Sequence, residues 1–433
     1  MRKAALHNLG CKVNSYETEA MQQLLEAAGY QIVDFEEKAD VYIINTCSVT
    51  NVADKKSRQM LHRAKAKNPE ALVVAAGCYA QAAGEKLLDD TAIDLVIGNN
   101  KKAELVQLLE ERLAGREPQD AVIDISAAQE RQAGHTRAFI KVQDGCNQFC
   151  SYCIIPYTRG RVRSRRPEDV EEEVRTLAEK GYQEIVLTGI HLSSYGTDFK
   201  EEPQDLLELT KRLHQIPGVK RIRFGSLEPR LITEEFVREL SAMEKICPHF
   251  HLSLQSGCDA TLKRMNRHYT CEDYLYRCGI LRKYFRDPAI TTDVIVGFPG
   301  ETDEEFAETK KFLETVHFYE MHVFKYSRRA GTRADRMPDQ VPEPVKTKRS
   351  AELLALEKEM SKAYRASFLG RETEVLMEEP VEIGGARYMV GHTKEYVKAA
   401  VPEAGGKNCF VRGVLKEFLT DEIIYLAENP DLG

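Results

Sequence analysis

Apolar residues along the first 114 positions fall in short runs separated by charged stretches with helical spacing, an alternation that predicts a parallel sheet with helices packed on it. Strands are predicted at residues 4–9, 41–45, 72–76 and 94–97, and helices at 15–28, 54–67 and 102–113. From 137 to about 330 the alternation repeats six times, with strands at 138–142, 184–187, 221–224, 250–254, 291–296 and 321–326. Helical patterns at 168–180, 204–215, 234–243, 272–284 and 303–316 separate them, which reads as an incomplete (β/α) barrel. A polar, proline-containing stretch at 330–344 then leads into an amphipathic helix at 345–368, where Leu353, Leu354, Leu356 and Met360 recur at helical spacing. Beyond it the runs shorten to five strands, at 373–377, 386–390, 396–400, 409–414 and 422–426, with the size and turn spacing of a small oligonucleotide-binding barrel.

The expected architecture is α/β in three parts. Residues 1–114 form a flavodoxin-like parallel sheet, 137–365 a partial (β/α)6 barrel and 366–433 a small OB-like β-barrel, with the weakly periodic stretch 115–136 as linker. A length of 433 residues is enough for about three such domains. A net charge of -7 does not advertise nucleic acid, so any basic surface must be local. The opening residues reach a polar turn too soon for a signal peptide, and no apolar run approaches a membrane span. A cytoplasmic protein is expected, whose eleven cysteines read as ligands and free thiols.

The cysteines turn this scaffold into a candidate site. Cys146, Cys150 and Cys153 are spaced CxxxCxxC in one loop after the first barrel strand, followed by Pro156 and Arg159-Gly160. A four-iron cluster in an electron carrier takes four cysteines, so three leave one iron open to an exchangeable ligand. Cys11, Cys47 and Cys78 each stand just past a predicted strand of the first sheet. They are about one strand-helix-strand unit apart, so neighbouring strands gather them at the carboxyl edge, where open α/β sheets bind ligands. A zinc knuckle completed by a distant histidine, or buried structural thiols, stays open on these residues alone. Cys247, Cys258, Cys271, Cys278 and Cys409 show no ligand spacing and read as free or buried.

The turns after the barrel strands, where such folds keep their chemistry, are rich in small and polar residues. They include Thr188-Gly189-Ile190-His191, Gly225-Ser226-Leu227-Glu228, Gln255-Ser256-Gly257 and Gly297-Phe298-Pro299-Gly300. Taken alone, His191 reads as a hydrogen-bonded surface histidine. Arg159, Arg161, Arg163, Arg165 and Arg166 crowd five guanidinium groups beside the cysteine loop. A charge run is usually a solvated face; next to a reactive rim it reads as a phosphate-binding patch, which Lys325, Arg328, Arg329, Arg333 and Arg336 extend.

CxxxCxxC followed by Pro156 and Arg159-Gly160 resembles the radical S-adenosylmethionine enzymes. Together with the upstream cysteines, Gln255-Ser256-Gly257, the run from Val296 to Thr302 and the five-stranded tail, the whole chain resembles the methylthiotransferases. The resemblance implies a radical-SAM barrel in which Cys146, Cys150 and Cys153 hold a [4Fe-4S] cluster that binds S-adenosylmethionine and cleaves it to a 5'-deoxyadenosyl radical. It makes Cys11, Cys47 and Cys78 the ligands of an auxiliary [4Fe-4S] cluster that presents the methylthio sulfur, and the tail a TRAM domain. Breaking an unreactive C–H bond is beyond side-chain acids and bases, so that step belongs to the cofactors. Tyr152 is expected against the adenine, and Gly189, Ser226, Glu228 and Gln255 at the cofactor by position. The turn Thr188-Gly189-Ile190 departs from the Gly-Gly-Glu common in the superfamily.

The stretch from Gly10-Cys11-Lys12 to Glu19 most resembles the branch that methylthiolates carbon 2 of threonylcarbamoyladenosine at tRNA position 37. The isopentenyladenosine branch tends to Gly-Cys-Gln-Met-Asn there, and the branch acting on a ribosomal-protein aspartate to a Pro-Lys-Asn version. The implied partners are a tRNA anticodon stem-loop, a one-electron donor such as flavodoxin or ferredoxin, and a sulfur source. The tail's charge runs against an RNA role, since 366–433 hold seven Lys and Arg against twelve Asp and Glu. Arg387, Lys394, Lys398, Lys407 and Arg412 are the residues expected to line one face. A zinc or iron-sulfur RNA-binding module without catalysis is the alternative from another class.

Overall fold

The computed structural model describes residues 1–114, 136–200, 204–402 and 406–428, so nearly all of the expected linker at 115–136 lies outside the described residues. In the first part, β1 (Lys3–Asn8), β2 (Gln31–Ile32), β3 (Val41–Thr46), β4 (Leu72–Gly77) and β5 (Leu95–Ile97) pair in parallel in the order β2-β1-β3-β4-β5. That is the doubly wound flavodoxin order. β3 is buried at all six positions because helices cover both faces. Val41, Ile43 and Val74 meet Met21 and Leu25 of the helix Lys12–Ala27 on one side. Tyr42, Ile44 and Val73 meet Leu61 and Ala64 of the helix Asn51–Lys67 on the other. The edge strand β2 was not expected; two residues are too few to show a period.

All six expected units of the second part are present. β6 (Arg137–Asp144), the short antiparallel β7 (Arg163–Ser164), β8 (Glu184–Gly189) and β9 (Arg221–Phe224) form one half in the order β7-β6-β8-β9. β10 (Ser226–Leu227), β11 (His249–Leu252), β12 (Ala289–Val296) and β13 (Glu320–Lys325) form the other in sequence order, and the halves meet where Gly225 separates β9 from β10. Ile140, Val142, Ile185, Leu187, Phe250, Leu252 and Val294 point outward into one core beneath the helices. The period of two therefore puts Phe139, Lys141, Glu184, His251 and Asp293 on the inner wall, lining a lumen.

The long helix Glu343–Ala366 carries the chain to the third part. β14 (Glu372–Ile383), β15 (Ala386–His392), β16 (Lys398–Pro402), β17 (Phe410–Phe418) and β18 (Ile423–Glu428) close a barrel in the order β14-β15-β16-β18-β17. β14 outruns its expected end at 377 because a bulge between Met377 and Glu379 breaks the alternation without ending the pairing.

This small barrel sits on the amino-terminal end of the larger one. Arg221 donates to the carbonyls of His392 (2.9 Å) and Glu374 (2.7 Å), and Arg223 to that of Lys394 (3.0 Å). The Tyr396 ring lies 5.0 Å from the guanidinium of Arg137 and 4.7 Å from that of Arg223, and stacks on His249. Two fully buried arginines would be costly unpaired; carbonyls, the Glu184 carboxylate 2.8 Å from Arg223 and the tyrosine face satisfy them. The tail thus floors the lumen at the end opposite the cysteines.

Candidate active site

The CxxxCxxC loop owes its shape to backbone that few residues tolerate. Gly145 has φ +69°, and a Cβ there would stand 1.8 Å from the Arg161 carbonyl oxygen. Phe149 is left-handed at φ 50°, held by the Asn266 amide donating to its carbonyl at 3.1 Å. The Cys146 N–H donates to Gly160 O (3.1 Å), and Ser151 N–H to Met265 O (3.0 Å). Arg267 donates to Cys150 Sγ at 3.2 Å and the Gln148 N–H to Cys146 Sγ at 3.4 Å. Burial first, then the neighbouring Cys150, pushes the Cys153 thiol up to about 12.

The second trio is assembled by the first sheet. Cys11 precedes the helix Lys12–Ala27, Cys47 follows β3, and Cys78 opens the short helix after β4. A Cβ on Gly10 (φ +112°) would lie 3.0 Å from Cys47 Sγ, so the first turn rests directly on the second cysteine. Burial pushes the Cys47 thiol up to about 11, with Cys78 and Cys11 adding in the same direction. Asn99 donates to Cys78 Sγ (3.7 Å) and to the Thr158 carbonyl (3.1 Å), tying this trio to the segment just past the other.

The donor sets fit clusters and not single ions. Among the described residues no three cysteine sulfurs lie within 4.8 Å of one another. A zinc about 2.3 Å from each sulfur would hold them roughly 4 Å apart. Within each trio the thiols still act on each other electrostatically, and both carry N–H donors of the kind that tune cluster potentials.

A buried ion network, which the charge pattern alone did not disclose, joins the two halves of the site. Glu17, from the helix after Cys11, binds Arg159 (2.8 Å), Lys102 (2.5 Å) and Lys141 (2.7 Å). Asp144, two residues before Cys146, binds Lys141 (2.6 Å) and Arg159 (3.2 Å). Burial would raise the Glu17 carboxyl, but the three cations outweigh it and hold it well below the ordinary range. A cleft of about 700 Å³ opens beside the network, lined by Tyr16, Asn100, Ser164, Arg163, Arg166 and Asp169 among others.

That network corrects the arginine reading. Arg159 is 1% exposed, and its guanidinium is taken by Glu17, Asp144 and Asn14, so it has no face for a phosphate. Arg165 is half-buried on Glu173 and the Lys141 carbonyl. Arg161, Arg163 and Arg166 are exposed, Arg161 lying 4.8 Å over the Phe149 ring. Of the extension, Arg329 is buried against Ser48, Asn51 and Asp54 beside Cys47, and Lys325 and Arg328 pair with Glu343 and Asp335. In the tail, Lys394 donates to Glu244 O on the barrel's underside, and Lys398 and Arg412 pair with Glu422 and Glu374.

The expected rim residues gather above the lumen. Gly189 abuts Gln143, where a Cβ would come 2.9 Å from Oε1. Ser226 Oγ is 2.8 Å from Ser253 Oγ, buried Glu228 accepts from Arg230 Nε at 2.7 Å, and Gln255 has the rare φ of +75°. Tyr152 packs edge-on against Phe298, its hydroxyl raised by burial and by the nearby Cys150. His191 is not the surface residue expected. Its Nδ1 meets Ser194 Oγ at 2.6 Å, burial pushes it down to about 4, and its buried Nε2 has no hydrogen-bond partner and lies 4.0 Å from Glu228.

Deeper in, His251, Asp293 and His322 face each other across three adjacent strands, with one ligand atom from each within 4.8 Å of the others. Lys12 completes the wall from the first sheet. Its side chain keeps open surface. Its Nζ stands 6.0 Å from the Phe139 ring; desolvation first, then Arg137 and Arg223, push the amine down to about 8 against the pull of Glu184.

The Radical SAM superfamily matches residues 140–313, and the Uncharacterized protein family UPF0004 matches residues 3–98. A threonylcarbamoyladenosine tRNA methylthiotransferase of Bacillus subtilis is 44% identical over 407 residues, 92% of this chain and 90% of that one. A tRNA-2-methylthio-N(6)-dimethylallyladenosine synthase of a Thermoanaerobacter species is 40% identical over 390 residues, 86% of this chain and 81% of that one. Among solved structures, the radical S-adenosylmethionine methyltransferase TsrM of Kitasatospora setae shares the fold, with TM-score 0.57 at 16% identity over 77% of this chain and 74% of that one.

Proposed function

This chain belongs to the methylthiotransferases of the radical S-adenosylmethionine superfamily, and on that footing we propose that it replaces the C2 hydrogen of threonylcarbamoyladenosine at tRNA position 37 with a methylthio group. The reading is supported by the links between the two folds at their cysteines: Asn99 bonds both Cys78 and Thr158 just past the CxxxCxxC loop, and Glu17, from the helix after Cys11, pairs with Arg159. Two [4Fe-4S] clusters and S-adenosylmethionine supply the radical and the sulfur chemistry when bound.

The protein's own contribution is placement. Cys146, Cys150 and Cys153 hold one cluster and Cys11, Cys47 and Cys78 the other. Tyr152, Gly189, Ser226, Glu228 and Gln255 shape the S-adenosylmethionine pocket, with His191 Nε2 as a further donor or acceptor. The tail-sealed floor keeps bulk water from the reacting base. Arg161, Arg163 and Arg166 ring the mouth as phosphate contacts for the anticodon stem-loop.

In this reading residues 1–114 present the auxiliary cluster, 137–365 form the radical domain after the 115–136 linker, and 366–433 form a TRAM domain. A flavodoxin or ferredoxin delivers the electron, a separate donor renews the sulfur, and the enzyme works in the cytoplasm; no helix among the described residues is long and apolar enough to cross a membrane. The test is anaerobic reaction of the reconstituted enzyme with stem-loops carrying threonylcarbamoyladenosine or isopentenyladenosine, read by nucleoside mass spectrometry. The 2-methylthio form of the first is expected; product from the second alone, or from neither, refutes the assignment.

A further inference from the structure

Identity of 44% over 92% of the chain to one relative and of 40% over 86% to another, whose names carry different N6 substituents, leaves the choice of substituent to local residues. Threonylcarbamoyl ends in a carboxylate; dimethylallyl is an uncharged hydrocarbon. In the adenine ring C2 and C6 both flank N1, so a base seated with C2 at the auxiliary site carries its N6 substituent along the same edge. The cation that receives it must therefore stand close to that trio and open into the lumen.

Lys12 alone among the lumen cations described above meets both conditions. It follows Cys11 directly, and its ammonium reaches the inner wall at Phe139. Its charged neighbours are already matched: Arg137 by Glu378 at 2.6 Å and Arg223 by Glu184 at 2.8 Å. Lys141 lies on the same wall but is held by Glu17 and Asp144. Among the described residues Lys12 makes no hydrogen bond or salt bridge, and its side chain keeps open surface. A long cation with no partner in the chain and open surface beside the inner wall is free to take an anion from outside, and a carboxylate would give it a charge-assisted hydrogen bond.

We infer that Lys12 is the specificity-determining residue for the N6 substituent, binding the threonyl carboxylate of the substrate. The inference rests on the proposed function and deepens it. A charge-assisted hydrogen bond in a partly dry site corresponds to roughly a 10- to 100-fold preference for the acid over a neutral analogue.

The experiment uses the holoenzyme and two anticodon stem-loops, one with threonylcarbamoyladenosine and one with its threonyl carboxylate converted to the methylamide. Binding is measured for both, and turnover for the first. Wild type is expected to bind the acid about 10- to 100-fold more tightly. Lys12→Gln is expected to bind the two alike, with its affinity for the amide unchanged, and Lys12→Arg to keep part of the preference. Iron and sulfide content matching wild type verifies loading; Lys12→Met, which keeps the stem against Phe139, gives the same reading if the glutamine variant loses iron. Equal binding of acid and amide by wild type, or an undiminished preference in the variants, overturns the role of Lys12. Absent turnover with the binding preference intact overturns the reaction and leaves the carboxylate site standing.

Discussion

The two cysteine trios are built in opposite ways. Cys146, Cys150 and Cys153 come from one loop, held by its own turn at Gly145 and by carbonyl contacts to the segment Arg264–Asn266. Cys11, Cys47 and Cys78 come from three strand ends, and their spacing is that of the sheet β1-β3-β4 itself. The first is a local site on a barrel; the second is a property of an entire fold. Damage to the loop should therefore stay local, whereas the second trio should report on the sheet and on the struts, Glu17–Arg159 and Asp54–Arg329, that press the two folds together.

The largest effects come from removing either trio. Changing Cys146, Cys150 and Cys153 to alanine should halve the bound iron from about eight to about four per chain and abolish product, and changing Cys11, Cys47 and Cys78 should do the same with the other cluster's spectrum retained. Gly145→Ala should nearly match the first result, since its Cβ has only 1.8 Å to the Arg161 carbonyl oxygen; iron analysis should show loss at the loop alone.

Arg159→Met leaves Glu17 on Lys102 and Lys141 and Asp144 on Lys141 alone, and should cost about 3 kcal/mol in denaturant unfolding, the low end for breaking a buried pair. Acid probes the same strut. Glu17 is held below the ordinary carboxyl value, so its ionised form contributes stability above an unfolded pKa of about 4.3, and that contribution is lost as pH falls through the lower folded value. Glu17→Gln should flatten that acid limb of the melting-temperature profile. Smallest are Arg161→Ala and Arg166→Ala, each expected to weaken stem-loop binding and reduce its salt slope by about one, with melting unchanged.

The same contrast governs what could be read from the chain. A CxxxCxxC loop declares itself because its ligands are neighbours, and the first sheet's trio was legible because each cysteine ends an apolar run. Arg159 was misread because a buried strut and a solvated patch look alike in a basic stretch; only the fold shows that Glu17, 142 positions away, takes it. Asn99 and the group His251, Asp293 and His322 gave no signal for the same reason, and Lys12 showed only as one letter of a branch signature, with nothing to say what it faces. Their partners lie on other elements, at separations no local period records.

The claim that both sites share one chamber is tested most directly by the low-temperature electron paramagnetic resonance spectrum of the fully loaded, reduced protein. Adjoining clusters should broaden and split each other's signals, and that coupling should vanish when either trio is replaced by alanine. A wild-type spectrum equal to the plain sum of the two single-trio spectra would contradict the account.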